Sequence, residues 1–200
     1  MKKLIVLLAL VAMTFQLQAQ GQDMLKNIRE VNGRTKSIDA DLANTLVKSK
    51  KTTTQVGKLY FVSPHEFAAI FDEHYMIVNE QRVKMDIGIF NGTYRLRDGG
   101  MMQSLSNIFL YGFQGRLQDL ADENGYSLST KTENGCHVVT GTILKKKLIG
   151  IGYKQVIFKY REEDYLPKEI ILIDYGGSVD TYTISNAQFD VKVDPKTFDF

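Results

Sequence analysis

The residues that could support catalysis or metal binding are few and scattered along the chain. The three histidines are His65, His74 and His137, and none has a second ligand at the spacing of a zinc site. Cys136 and His137 are adjacent, so in a strand their side chains would point to opposite faces. The sequence contains neither a Gly-x-Ser-x-Gly elbow nor a phosphate-binding glycine loop. These patterns indicate a protein that is not an enzyme and that binds no metal and no cofactor.

Two runs of like charge are the remaining candidates for polar chemistry. The acidic run 162–164 lies in a turn before Pro167, where a solvated loop is expected rather than an acid/base pair. The basic run 145–147 precedes an apolar Leu-Ile-Gly and is typical of a solvated hairpin tip. A role for this basic run in docking to a receptor or an anionic lipid surface is the alternative.

The first residues have the pattern of a secretory signal peptide. Lys2 and Lys3 precede an apolar run from Leu4 to Met13, and a small residue, Ala19, follows a short polar stretch. The apolar run is about half of the ~20 residues that a membrane span requires. We therefore expect residues 1–19 to be removed and residues 20–200 to form one domain in the periplasm.

The charge and the cysteine content of this mature chain limit its function further. Removal of residues 1–19 takes away Lys2 and Lys3 and no acidic residue, so the formal net charge of +2 falls to zero. A neutral domain argues against nucleic acid, whose binding depends on neutralising phosphates. Cys136 is the single cysteine, so no intramolecular disulfide can form and stability must come from packing.

Most of the mature chain alternates between apolar and polar residues, which is typical of half-buried strands. About ten such strands at a spacing of about ten residues form a large antiparallel sheet that must curl or close. The predicted strands are Ser37–Leu42, Lys58–Ser63, Glu66–Phe71, Tyr75–Val78, Arg82–Ile89, Ser127–Thr130, Cys136–Ile143, Tyr153–Tyr160, Glu169–Asp174, Val179–Ile184 and Ala187–Val193.

Two segments have the apolar spacing of three and four that predicts helices. The first is a short helix at Asp23–Val31, and the second is a long helix over residues 101–124. The long helix has two interpretations. It is either a core helix packed on the sheet or a helix that covers the open mouth of a curved sheet and shares an apolar cavity with it.

A set of large apolar side chains could line such a cavity together with the long helix. Each of them is an ordinary core residue when considered alone, but together they exceed what a tightly filled barrel requires. Methionine and phenylalanine also adapt well to irregular ligands. The predicted lipid-binding residues are Leu59, Phe61, Phe67, Phe71, Met76, Val78, Met85, Ile87, Leu105, Ile108, Phe109 and Phe113.

Several segments together resemble the LolA family of periplasmic outer-membrane lipoprotein carriers. The segment Gly57–Pro64 is followed by Phe67, and the chain closes with a strand, at 186–200, that runs into Val-Asp-x-x-x-Phe-x-Phe. The resemblance covers essentially all of residues 20–200. It implies a mainly β, α+β fold: an unclosed, strongly curved antiparallel barrel with a helical lid. Ser63 stands where better-known members carry an arginine that holds the lid.

The resemblance also implies a function. It predicts a soluble, monomeric periplasmic carrier that shields the acyl chains of lipoproteins or other lipids and delivers them to the outer membrane. Its partners would be an inner-membrane releasing transporter and an outer-membrane acceptor. One alternative is a sensor or regulatory module on the same fold that binds lipid without transporting it. Another, a lipid-modifying enzyme, would require a histidine beside a carboxylate inside the cavity.

Overall fold

The computed structural model describes residues 20–87, 90–96, 100–143 and 152–200. The predicted signal peptide, 1–19, and the basic run 145–147 lie outside the described residues. Helix α1 spans residues 20–32, where the sequence predicts a slightly shorter helix, and Gly33 follows it. No helix in the described residues is long and apolar enough to cross a membrane.

The sheet contains eleven antiparallel strands in the order β6-β5-β4-β3-β2-β1-β11-β10-β9-β8-β7. Strands β6 and β7 lie at its two edges, so the sheet is curled but unclosed, and the predicted fold class is confirmed. The strands are β1 (Ser37–Lys48), β2 (Lys51–Val62), β3 (Glu66–Phe71), β4 (Tyr75–Asn79), β5 (Arg82–Ile87), β6 (Phe90–Arg95), β7 (Tyr126–Glu133), β8 (Cys136–Ile143), β9 (Tyr153–Arg161), β10 (Pro167–Asp174) and β11 (Val179–Phe189).

The register of β2 to β5 shows why the alternating residues share one face. Leu59 lies opposite Ala69, Ala69 opposite Met76, and Met76 opposite Met85. Directly opposed residues of an antiparallel pair point to the same side of the sheet. All four side chains are buried, so this row lies on the concave, core-facing side.

The prediction of one long helix over residues 101–124 is wrong in one respect, because the chain forms two helices there. Helix α2 is Met101–Gln114 and helix α3 is Leu117–Asn124. Between them Gly115 adopts the left-handed conformation with φ of 66°. A Cβ at this position would lie 2.5 Å from the carbonyl oxygen of Ile28. Glycine therefore ends α2 and lets α1 approach closely.

The strand predictions also need two corrections. The strands predicted at 179–184 and 187–193 form one strand, β11, which continues through Asn186 at a positive φ of 50° and ends at Phe189, so residues 190–193 are not part of a strand. The pairing of β11 with β1 shifts register beside it, so this point is a bulge and the ladder resumes after it. Strand β6 was not predicted, because Asn91 and Gly92 within it favour a turn.

Helix α2 lies against the concave face of the sheet and divides the interior. Its C-terminal half carries Phe113, whose ring centroid is 5.6 Å from that of Phe61 and 5.7 Å from that of Phe67. The short 3₁₀ helix Pro195–Phe198 packs on β3 and β4 and buries Phe198. We call the end of the interior around Phe61 and Phe113 the closed end.

Candidate functional site

A partly open cavity of about 240 Å³ lies between the concave face of the sheet and helix α2. This volume is slightly below the roughly 300–1,000 Å³ of typical small-molecule sites. In this conformation the cavity can therefore hold part of one acyl chain but not several chains. Its lining comprises Asn44, Leu46, Thr53, Gln55, Phe67, Ala69, Phe71, His74, Tyr75, Met76, Ile87, Phe109, Asp180 and Tyr182.

Phe109 is the residue of α2 that lines the cavity. Its ring stacks on Phe67 with centroids 5.0 Å apart and planes 12° apart. The ring of Tyr182 meets Phe109 edge-on, at 5.1 Å and 85°. Aromatic pairs with these geometries stabilise the folded state beyond the burial of their apolar area. The helix thus closes one side of the cavity mainly through this one side chain.

The opposite side of the cavity is polar and is centred on Asp180. One oxygen of this carboxylate accepts a hydrogen bond from Asn44 Nδ2, and the other accepts one from the Tyr182 hydroxyl at 2.9 Å. Burial raises the pKa of the Asp180 carboxyl, even though both hydrogen bonds act in the opposite direction. Burial likewise holds the pKa of Tyr182 well above its ordinary value.

His74 also lines the cavity, so a histidine and a carboxylate do share it. The Nδ1 atom of His74 is buried without a hydrogen-bond partner. No hydrogen bond joins His74 to Asp180, both of which are described residues, so the activated pair of a general-base site is not formed. Nor does any group of His, Cys, Asp and Glu in the described ranges have the arrangement of a metal site.

Five of the twelve predicted lipid-binding residues line this cavity: Phe67, Phe71, Met76, Ile87 and Phe109. The others lie outside its lining. Leu105 is half-buried against the core, and the remaining six are at most 1% exposed in the packed interior. Those six are Leu59, Phe61, Val78, Met85, Ile108 and Phe113. The lipid-binding role of all twelve stays a prediction.

The polar lining was missed by sequence reasoning, and one signal could have found part of it. Asp180 and Tyr182 share their parity along β11 with Ile184, which is buried. Side chains of equal parity in a strand lie on the same face. An aspartate on the inward face of a strand is unusual and is a candidate functional residue. The same reasoning predicts that Asn44 points inward, because it is two residues from the buried Leu42 in β1.

Two hydrogen bonds hold the C-terminal half of α2 to the sheet. Gln114 Nε2 donates to the Pro64 carbonyl oxygen at 2.7 Å. The Tyr160 hydroxyl, which is buried, donates to the Gly112 carbonyl oxygen at 2.7 Å. The family resemblance predicts an arginine at the position of Ser63. Gln114 bonds to Pro64, the next residue along the chain. In this chain the helix itself supplies the tether.

No protein-family model matches the chain. No curated protein matches it either.

Several solved structures are similar in fold. A domain from Vibrio parahaemolyticus, described as an outer-membrane lipoprotein-sorting protein domain, is 13% identical, with 90% of this chain and 97% of that chain covered and a TM-score of 0.48. A LolA superfamily protein from Nitrosomonas europaea is 11% identical, with coverages of 90% and 97% and a TM-score of 0.45.

A third neighbour is MucB in the MucA/MucB complex of Pseudomonas aeruginosa. It is 10% identical, with coverages of 89% and 60% and a TM-score of 0.42. At such identities the likeness is one of fold and says nothing about cargo.

Proposed function

We propose that this protein is a periplasmic carrier that shields an acyl chain of a lipoprotein or another lipid and delivers it to the outer membrane. The supporting observation is the partly open cavity, whose apolar side is formed by Phe67, Phe71, Met76, Ile87 and Phe109. An acyl chain is the ligand class that such a surface favours, because burial of apolar area drives its binding. The periplasmic location depends on the predicted signal peptide.

The size of the cavity suits a carrier that must release its cargo. Each buried CH₂ group contributes about 0.8 kcal/mol, so full burial of one long chain would contribute roughly 10 kcal/mol. Complete capture of several chains would approach the tightest non-covalent affinities and make dissociation slow. A cavity of about 240 Å³ leaves part of the chain outside, where an acceptor can take hold of it.

Helix α2 is tied to α3 by the hydrogen bond from Asn107 Nδ2 to Glu123 Oε2, at 3.0 Å, so its first turns are the part whose movement could widen the cavity. Its C-terminal half is tethered through Gly112 and Gln114. At its other end the N-cap residue, Gly100, makes no side-chain capping hydrogen bond, and the first turn has no acidic residue. Helix ends without caps fray more readily. In this proposal the first turns of α2 move outward when a chain is taken up.

The experiment that tests the carrier proposal is native mass spectrometry of mature protein purified without detergent from a Gram-negative periplasm, followed by organic extraction. We expect bound acylated species in the wild type and their loss in Phe109→Glu. The control is Val56→Glu, because Val56 is 70% exposed on β2 and outside the cavity. Circular dichroism must show that both variants are folded. A normal lipid load in folded Phe109→Glu would contradict the proposal.

A sensor or regulatory module that retains its ligand is the second candidate function. The polar side of the cavity favours it, because a cavity with Asn44, Asp180 and Tyr182 can recognise a particular ligand as well as shield a chain. The two functions differ in release. A carrier transfers a bound fluorescent acyl chain to acceptor vesicles within minutes, whereas a sensor keeps it.

A further inference from the structure

Among the described residues, the polar side of the cavity contains a single carboxyl group and no lysine or arginine. Asp180 is the only carboxylate in the lining, and no lysine or arginine of the described ranges contributes to it. None of the ion pairs in the described residues involves Asp180. Asp180 is half-buried, and withdrawing a carboxylate from water without a cationic partner costs the folded protein free energy.

The strands on either side of Asp180 make its surroundings apolar apart from two donors. Its direct neighbours across the sheet are Leu46 on β1 and Leu172 on β10. Asn44 and Tyr182 donate one hydrogen bond each, one to either oxygen. A carboxylate offers about four acceptor positions, so roughly half of its capacity is still available. Because Asp180 lines the cavity, this capacity is available to a ligand there.

A second acceptor lies in the same lining. Nδ1 of His74 is buried without a partner, and in the tautomer protonated at Nε2 it accepts a hydrogen bond. A carboxylate with free acceptor positions and one negative charge is complementary to a group that has several N–H donors and a positive charge. An anionic group at the same place would be repelled by Asp180.

We propose that the cavity binds an amphiphile with one long chain and a primary ammonium head, the chain lying between Phe109 and Met76 and the ammonium bound by Asp180. This inference depends on the proposed apolar-chain function and adds the chemical class of the head group. The ammonium supplies the positive charge that Asp180 lacks. Its three N–H donors can bind the acceptor positions of Asp180 that Asn44 and Tyr182 leave free.

The test compares three ligands with the same dodecyl chain by isothermal titration calorimetry at pH 7, below their micelle concentrations. Dodecylamine is cationic, dodecanol is neutral and dodecanoate is anionic at this pH. For the wild type we expect dodecylamine to bind more tightly than dodecanol, and dodecanoate most weakly, with about tenfold or more between the two ions.

Two variants identify the origin of that preference. Asp180→Asn keeps the size of the side chain and removes its charge, so the difference in affinity between dodecylamine and dodecanoate should shrink to about threefold or less. Asp39→Asn is the matched control, because Asp39 lies on the outer face of β1, 4.0 Å from Lys58, and should leave the preference intact.

The dodecanol measurement separates the two proposals. If dodecanol binds but the wild type does not distinguish dodecylamine from dodecanoate, the head-group inference is overturned and the apolar cavity remains. The same holds if the preference persists unchanged in Asp180→Asn. If none of the three ligands binds to folded protein, both the head-group inference and the proposed function are overturned.

Discussion

The two ends of the barrel interior are packed in opposite ways. At the closed end the rings of Phe61 and Phe113 are in contact, and each side chain is at most 1% exposed. At the cavity end, around Leu46 and Asp180, the strands continue but the helix contributes only Phe109. The closed end can therefore stabilise the fold, which leaves the cavity end free to stay incompletely filled.

The largest expected effect is a loss of stability at the closed end. Phe113→Ala removes a ring that is 1% exposed, and we expect it to lower the free energy of unfolding by about 3–5 kcal/mol. Phe71→Ala, at the half-buried cavity end, should cost about 1–2 kcal/mol, because its ring already borders empty space. Urea denaturation measures both. Equal losses would show that the two ends are not packed differently.

The strand faces could be predicted because alternation is a local property. Alternate residues of a strand share one face, so Phe67 and Met76 point inward in any sheet that buries that face. Five of the twelve predicted residues line the cavity. Which inward residues meet the cavity and which meet packed core depends on where α2 lies. That is a long-range feature, and nothing in the alternation of β2 distinguishes Phe61 from a cavity residue.

Parity could indicate that Asp180 and Asn44 point inward, but their contact with each other and the helix break could not be predicted, for the same physical reason. Asp180 and Asn44 meet only because β1 pairs with β11, from the far end of the chain. Gly115 lies within an apolar periodicity that continues on both sides, so the spacing alone predicts one helix. Its role depends on the carbonyl of Ile28, which a distant segment supplies.

The second prediction fills the cavity end. Ala69 lines the cavity and lies opposite Met76, so Ala69→Phe places a ring in the space that a chain would occupy. We expect the affinity for dodecanol, measured by calorimetry, to fall about tenfold or more, which corresponds to about 1.4 kcal/mol. The control is Ala43→Phe, on the outer face of β1. Undiminished binding in Ala69→Phe would show that dodecanol binds elsewhere.

The third prediction weakens the tether between α2 and the sheet. Gln114→Ala removes the 2.7 Å hydrogen bond to the Pro64 carbonyl and should lower the free energy of unfolding by about 1 kcal/mol. Gln118→Ala is the control, because Gln118 is exposed on α3 and bonds only to Asp122 in its own helix. If the two variants lose the same stability, the tether contributes nothing beyond helix propensity.

A smaller effect should appear as a pH dependence at the cavity end. Because burial raises the pKa of Asp180 above its ordinary value of 3.8, the folded state binds a proton more tightly than the unfolded state. The stability contributed by this group is therefore present below 3.8 and is lost as the pH rises through the folded-state pKa.

Asp180→Asn cannot lose stability in this way. The free energy of unfolding of Asp180→Asn relative to the wild type should increase with pH across that interval and then level off. Urea denaturation at a series of pH values measures this difference, in which the other acids cancel. A difference that stays constant with pH would show that Asp180 titrates as an ordinary exposed carboxyl.

The smallest expected effect concerns the uncapped start of α2. Gly100 has φ of −76° and ψ of 154°, an extended conformation that any residue adopts, so Gly100→Asp introduces no strain. The new carboxylate can accept from the free N–H groups of the first turn, and its charge suits a helix N-terminus. We expect a gain of a few tenths of a kcal/mol to about 1 kcal/mol. Gly100→Ala separates the cap from the loss of glycine flexibility.

The same variant tests whether the first turns of α2 are the part that moves. If their outward movement admits the chain, then stabilising the first turn should slow the association of dodecanol in stopped-flow measurements. The equilibrium affinity should change little, because the bound and free states both keep the cap. Gln114→Ala, which loosens the other end of the helix, should leave the association rate less affected. Equal rates in Gly100→Asp and the wild type would place the opening movement elsewhere, because a more stable first turn would then offer no barrier to uptake.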